Sequence, residues 1–186
     1  MRVPRSFAAF IGLALLGVTS GCADTAEARS TAAALAPVAY SLAYADETAP
    51  TAAEVEAAIS ALQLPAEVPA QAREEILQRA TELFNDNQSK EQSERVTGAT
   101  AQVVSVGTIA TPQQDDLAVV ELQVSYSSPV VNWQAQTFAY ASFSWGELER
   151  LLLVRGATPT DALVEAEEAF GFMPATYRDE QAEPQP

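Results

Sequence analysis

The chain has 186 residues and a formal net charge of −15, with 10 Lys and Arg against 25 Asp and Glu, no histidine and one cysteine. A surface this acidic repels phosphate backbones, which excludes general nucleic-acid binding. The missing histidine excludes Ser-His-Asp and Cys-His activation of a nucleophile, and with them His-based zinc sites. Cationic partners such as divalent metals or basic peptides remain open, beside the plain reading that the charge keeps the chain soluble.

The first stretch is a processed one. Met1 to Ser6 carries Arg2 and Arg5 and no acid, Phe7 to Val18 is apolar, and Thr19, Ser20 and Gly21 are small before Cys22. A positive start, a short apolar run and a small-residue exit describe a secretory signal peptide. The run is shorter than the roughly 20 apolar residues of a membrane-spanning helix. The exit Val18-Thr-Ser-Gly-Cys22 resembles the lipobox of bacterial lipoproteins, with Thr19 departing from the commoner Leu, Val or Ile. The resemblance covers residues 1–22 only. It implies cleavage at Gly21–Cys22, lipid on the Cys22 thiol, and anchoring to a cell membrane or outer membrane with the domain in the periplasm or outside the cell. Ala23 stands where some inner-membrane lipoproteins carry a retention Asp, which leans towards the outer membrane. The competing reading is an ordinary signal-peptidase cut after Ala23 or Ala28. A lone cysteine in an exported chain makes no internal disulfide, and a lipid thioether gives it a use. Removal of residues 1–21 leaves 8 basic against 25 acidic residues, a net charge of −17.

Residues 22–50 are rich in Ala, Ser and Thr and read as a lipidated N-terminus and flexible tether, with Thr31–Ala36 helical before Pro37 interrupts. The domain itself is predicted over 51–174, with a disordered acidic tail at 175–186. Thr51 followed by Glu54 is a capping-box pattern opening a helix to Leu64, with Val55, Ile59 and Leu62 on one stripe. Pro65 and Pro69 make a turn. Ala70 to Asn87 is a second helix with Ile76, Leu77, Ala80, Leu83 and Phe84 on its apolar face, completing a helical hairpin.

After a polar loop, Ala99–Ala110, Leu117–Tyr126 and Trp133–Phe143 read as strands. The middle one alternates cleanly, Val120, Leu122, Val124 and Tyr126 against Val119, Glu121, Gln123 and Ser125, as expected for an antiparallel sheet with one wet face. Thr111–Asp116 and Ser127–Asn132 are the connections. Ser144-Trp-Gly-Glu147 repeats the capping-box pattern and predicts a helix over Trp145–Arg155, stopped by Gly156. Thr158-Pro159 opens a last helix to Phe170, with Gly171 as its end. The predicted fold is α+β: a helical hairpin, a three-stranded antiparallel meander and two C-terminal helices. Helices over a curved meander are similar to cystatin-like and nuclear-transport-factor-like folds, a likeness that carries no function.

Sites with chemistry are sparse. No phosphate-binding or dinucleotide motif occurs, and Lys90, the only lysine, has no Ser three positions before it. Asp115, Asp116 and Glu121 are the acids that a carboxylate-dependent envelope hydrolase would need, but no spacing makes them converge. Asn85-Asp86-Asn87 offers oxygen ligands without the Gly and distant Glu of a calcium loop. Six aromatic residues gather late in the chain: Tyr126, Trp133, Phe138, Tyr140, Phe143 and Trp145. They fill the core, or they line a ligand groove or protein interface. The expected function is that of a non-catalytic cell-envelope lipoprotein. It has no cofactor and no metal, is held to the membrane through Cys22, and presents an acidic domain to an envelope protein or small ligand. The rivals are the hydrolase and a transport or assembly accessory protein using the aromatic patch.

Overall fold

The computed structural model describes residues 23–64, 67–109, 117–144, 147–155 and 159–171. Cys22 and the signal stretch, the predicted turn at Thr111–Asp116, Trp145 and the tail lie outside the described residues. The elements run α1 (Ala23–Leu35), α2 (Val38–Ala43), α3 (Ala52–Ala61), α4 (Ala70–Ser89), β1 (Gly98–Ile109), β2 (Leu117–Ser127), β3 (Asn132–Ser144), β4 (Glu147–Leu153) and α5 (Pro159–Phe170). The class is mixed helix and sheet. The strands form one antiparallel sheet in the order β1-β2-β3-β4.

The inner face of the sheet is the core. Val120, Leu122 and Val124 of β2 are fully buried, as their alternation predicts, and Ala139 and Ala141 of β3 join them. α1 and α2 lie over these strands. Ala28, Ala32, Leu35, Ala36, Ala39 and Tyr40 are almost entirely inaccessible to solvent. Within the tether expected at 22–50, residues 28–43 are instead packed as core. Alanine carries little apolar area per residue, but its small side chain lets a helix backbone approach the sheet closely, and the stripe packs as core. Tyr40 reaches through the layer, its hydroxyl 3.1 Å from Thr137 Oγ1, so both buried hydroxyls have a partner.

α3 and α4 form the predicted hairpin. Thr51 N–H donates to Glu54 Oε2 at 2.7 Å and Glu54 N–H donates to Thr51 Oγ1 at 3.4 Å, a complete capping box. The Thr51 hydroxyl and amide hold the Glu54 carboxyl below its usual range. α4 buries Ala72, Ile76, Ala80 and Phe84 and runs to Ser89, two residues past the predicted end.

The second correction concerns residues 145–155. The predicted helix is strand β4, so among the described residues the sheet has four strands and one helix, α5, follows it. Leu148 and Leu151 are three apart, a helical spacing. In the sheet Leu148 pairs with Phe143 and Leu151 with Ala141, a register shift that leaves Glu149 as the extra residue of a bulge. The bulge turns a spacing of three into two inward positions of a strand. Leu148, Leu151 and Leu153 are all buried.

α4 also closes the sheet edge at β4. The Gln71 amide accepts from Leu151 N–H at 2.8 Å and donates to Leu151 O at 2.9 Å, as the backbone of a fifth strand would. Glu75 accepts from Leu153 N–H at 2.9 Å. Burial raises the Glu75 carboxyl above its usual value, against the lowering effect of that hydrogen bond. α5 packs on the outer face at one end of the sheet, Ala162 and Ala166 against Tyr140 and Val154, with Phe170 under the Arg150 guanidinium at 4.9 Å. Arg155 ties this corner together, its guanidinium 2.6 Å from Glu82 and its N–H donating to Glu165. Gly171 ends α5 at φ +72°, a left-handed conformation that suits glycine.

Because residues 28–43 supply core side chains, a chain lacking α1 and α2 is expected to lose its cooperative unfolding transition in urea; removal of a mere tether would leave that transition in place. In the intact chain, Tyr40→Ala should lower stability by about 3–5 kcal/mol, the usual range for truncating a buried aromatic side chain.

Candidate functional site

The six late aromatic residues do not form one surface. Tyr140 is buried beneath α5, with Phe138 half-buried beside it on the outer face. Phe143 is half-buried against the inner core. Trp145 lies outside the described residues. Tyr126 and Trp133 do come together. They sit opposite each other on β2 and β3 next to the hairpin turn, and their rings stack with centroids 5.2 Å apart and planes 20° from parallel. Tyr44, just past α2, meets the Tyr126 ring edge-on at 5.9 Å. These separations are in the favourable range for aromatic pairs, so the three rings brace one another.

The turn beside them is unusually apolar. Val130 is 76% exposed, Val131 56% and Trp133 37%. Ser128 holds the turn: its N–H donates to Val131 O at 3.1 Å, its hydroxyl donates to the same oxygen at 2.8 Å, and Oγ accepts from Val131 N–H at 3.0 Å. The valines therefore point outward from a fixed backbone. Ser93, Glu94, Ser128, Val130, Val131 and Trp133 line a shallow, open depression of about 510 Å³.

The far wall of that depression is anchored by α4. Asn87 Nδ2 donates to Val96 O at 2.9 Å and Asn87 Oδ1 accepts from Val96 N–H at 2.7 Å. Arg95 donates to Lys90 O at 3.1 Å and Gln88 O at 2.8 Å, satisfying carbonyls at the end of the helix. Asn87 is thus committed to holding residues 90–97 beside the hairpin. Asp86 pairs with Lys90 at 3.0 Å. The Asn85–Asn87 run is built into the loop's support, and among the described residues no group of three or more His, Cys, Asp or Glu is placed to hold a metal.

Of the three candidate acids, Glu121 lies among the described residues. Asp115 and Asp116 lie outside the described residues. Glu121 stands on the outer sheet face, accepting from the Ser105 hydroxyl at 2.7 Å and from Gln136. Beside it Gln123 donates to Gln134 at 3.0 Å and Gln134 to Ser125 at 3.1 Å, an exposed row of cross-strand polar pairs.

Of the hairpin-end residues, Tyr126 and Trp133 were within the sequence-derived set, while Tyr44, Val130 and Val131 were missed. The available signal was two adjacent valines inside a predicted turn, where polar residues are the rule. Tyr44 carried none, because its partner is 82 positions away. No family model, no curated protein and no solved structure matches this chain.

Burial raises the Tyr44 phenol to about 12, with the Asp86 charge adding to the effect, and burial likewise raises Tyr126. The unfolded chain ionises these groups near their ordinary value of about 10. Their contribution to stability is therefore complete below pH 10 and is lost as the pH climbs towards 12. A denaturation series from pH 9 to 12 should show a steeper loss of stability in the native chain than in Tyr44→Phe. Absorbance of phenolate should show Tyr44 among the last tyrosines to ionise.

Proposed function

We propose that this chain is a bacterial cell-envelope lipoprotein, lipidated at Cys22 and non-catalytic, whose acidic domain presents its hairpin end to a protein partner in the envelope. The anchoring half of this reading is supported by the stretch Leu13–Cys22, an apolar run leading through small residues to the only cysteine. Two or three acyl chains on one residue hold a protein at a bilayer durably, since each buried methylene contributes about 0.8 kcal/mol. The anionic surface then has no part in attachment. Among the described residues no helix is long and apolar enough to cross a membrane.

The binding half is carried by one observation: Val130, Val131 and Trp133 are adjacent and exposed on a turn held by Ser128, in a chain of net charge −15. Contiguous exposed apolar side chains beside a tryptophan are what protein interfaces use as anchors, and a pre-formed backbone lowers the cost of ordering on binding. The core also begins close to the anchor. Ala28, six positions after Cys22, is fully buried. Six helical residues rise only about 9 Å, so lipid on Cys22 would hold the domain against the membrane surface instead of on a long leash.

Two measurements test the two halves separately. Intact-mass analysis of the membrane-extracted chain should give an N-terminus at Cys22 carrying acyl groups; an unmodified thiol, or an N-terminus past that position, would overturn the anchor. A photocrosslinking residue at Val130 in cells should give a discrete protein adduct that Trp133→Ala abolishes. The same residue at Val164 on α5, also exposed, should not give it. Absence of an adduct, or one indifferent to Trp133, would overturn the binding surface.

A further inference from the structure

The two edges of the sheet are treated differently. The β4 edge is sealed by Gln71 and Glu75, which take up the outward backbone groups of Leu151 and Leu153. Among the described residues, no side chain takes up the outward backbone groups of the β1 edge in this way. Residues 102–108 are exposed without interruption, and Val103, Val104 and Val106 are among the exposed large apolar side chains, Val104 at 57%. At 12 residues β1 is also long, about 40 Å at the usual rise per strand residue. Chains blunt a free edge with a lysine, an inward charge, a proline or a short strand. Gly98–Ile109 has none of these: it reads G-A-T-A-Q-V-V-S-V-G-T-I, without a charge or a proline. It does carry a bulge, where Val104 is the extra residue between Val103 and Ser105, but the strand continues paired to β2 on both sides of it.

We propose that β1 pairs antiparallel with β1 of a second copy of this chain about a two-fold axis, joining two four-stranded sheets into one of eight strands. Along an antiparallel edge alternate residues direct both N–H and C=O outward, so each copy offers the other a row of donors and acceptors at matching spacing. A two-fold contact uses one surface twice and therefore needs that surface to be self-complementary. A neutral, valine-rich strand is. The charge argues for a second copy over a foreign basic strand. The 25 acids of the chain would draw basic segments to acidic surface, yet β1 contains none of them, and the nearby Glu121 is already engaged by Ser105 and Gln136. Repulsion between the two acidic bodies remains and acts at a distance, so salt weakens it within a screening length of about 8 Å at physiological ionic strength.

The test is sedimentation of the full chain, purified in mild detergent, over a range of protein and salt concentrations. A dimer is expected, and its dissociation constant should fall as salt is raised. Val104→Lys with Val106→Lys places charges on the exposed edge and should weaken the dimer by about tenfold or more. Val164→Lys, on α5, should leave it unchanged. Circular dichroism and urea unfolding of each variant confirm that the fold is retained. A chain monomeric up to about 100 µM, well above the micromolar range of ordinary specific interfaces, would overturn the proposal. So would a dimer that the β1 lysines do not affect, one that salt dissociates, or a β1 edge that crosslinks only to a different protein.

Discussion

The close contact between an alanine-rich helical layer and the valine-leucine face of β2 is the constraint on which the structure depends. Val120, Leu122 and Val124 must be taken out of water, and Ala32 of α1, Ala36 between the helices and Ala39 of α2 pack in the same cluster. Small side chains bring the backbones near enough for dense packing, at the cost of leaving little room for anything large or polar. Leu35 and Tyr40 are the large side chains of that layer, and the Tyr40 hydroxyl is met by Thr137. Residues 28–43 are therefore inseparable from the sheet.

α4 is the second organising element, and it works in three directions. Its apolar face, Ile76, Ala80 and Phe84, enters the core. Its Gln71 and Glu75 side chains complete the backbone hydrogen bonds of β4. Its last turn sends Asn87 to hold Val96, which fixes the loop facing the β2–β3 turn. One helix thus seals one sheet edge and shapes the hairpin end, while residues 102–108 of the opposite edge and the valines of the turn are exposed. Since α5 covers the outer face only near Tyr140 and Val154, the rest of that face is a polar row centred on Glu121 and Gln134. Exposed apolar surface is confined mostly to β1 and the turn, which is why both stand out in a chain of this charge.

Local signals were read well where one residue pattern has one structural meaning. The Thr51–Glu54 pair opens α3, the stripe of Ile76, Ala80 and Phe84 marks α4, and the alternation of β2 assigns its faces. The same kind of signal misled at Ser144–Glu147, where a capping-box pattern and leucines three apart describe a helix equally well. A bulge at Glu149 cannot be seen without the partner strand that defines it. For the hairpin end, Tyr126 and Trp133 were recognisable as aromatic residues of interest. That they stack on each other and on Tyr44, while Phe138 and Tyr140 serve the other face, follows from strand register and from a helix far away in the chain.

By itself the sequence determined the strong negative charge, the absence of histidine chemistry, the basic and apolar stretch that leads to Cys22, and every element whose periodicity is unbroken, because each of these is a property of composition or of neighbours in the chain. Only the tertiary structure decided that an alanine-rich stretch is core, that a leucine-rich one is a strand, and which sheet edge is covered. Those outcomes rest on how closely two backbones approach and on which backbone groups find a partner, and both are settled between residues such as Gln71 and Leu151 that stand 80 positions apart.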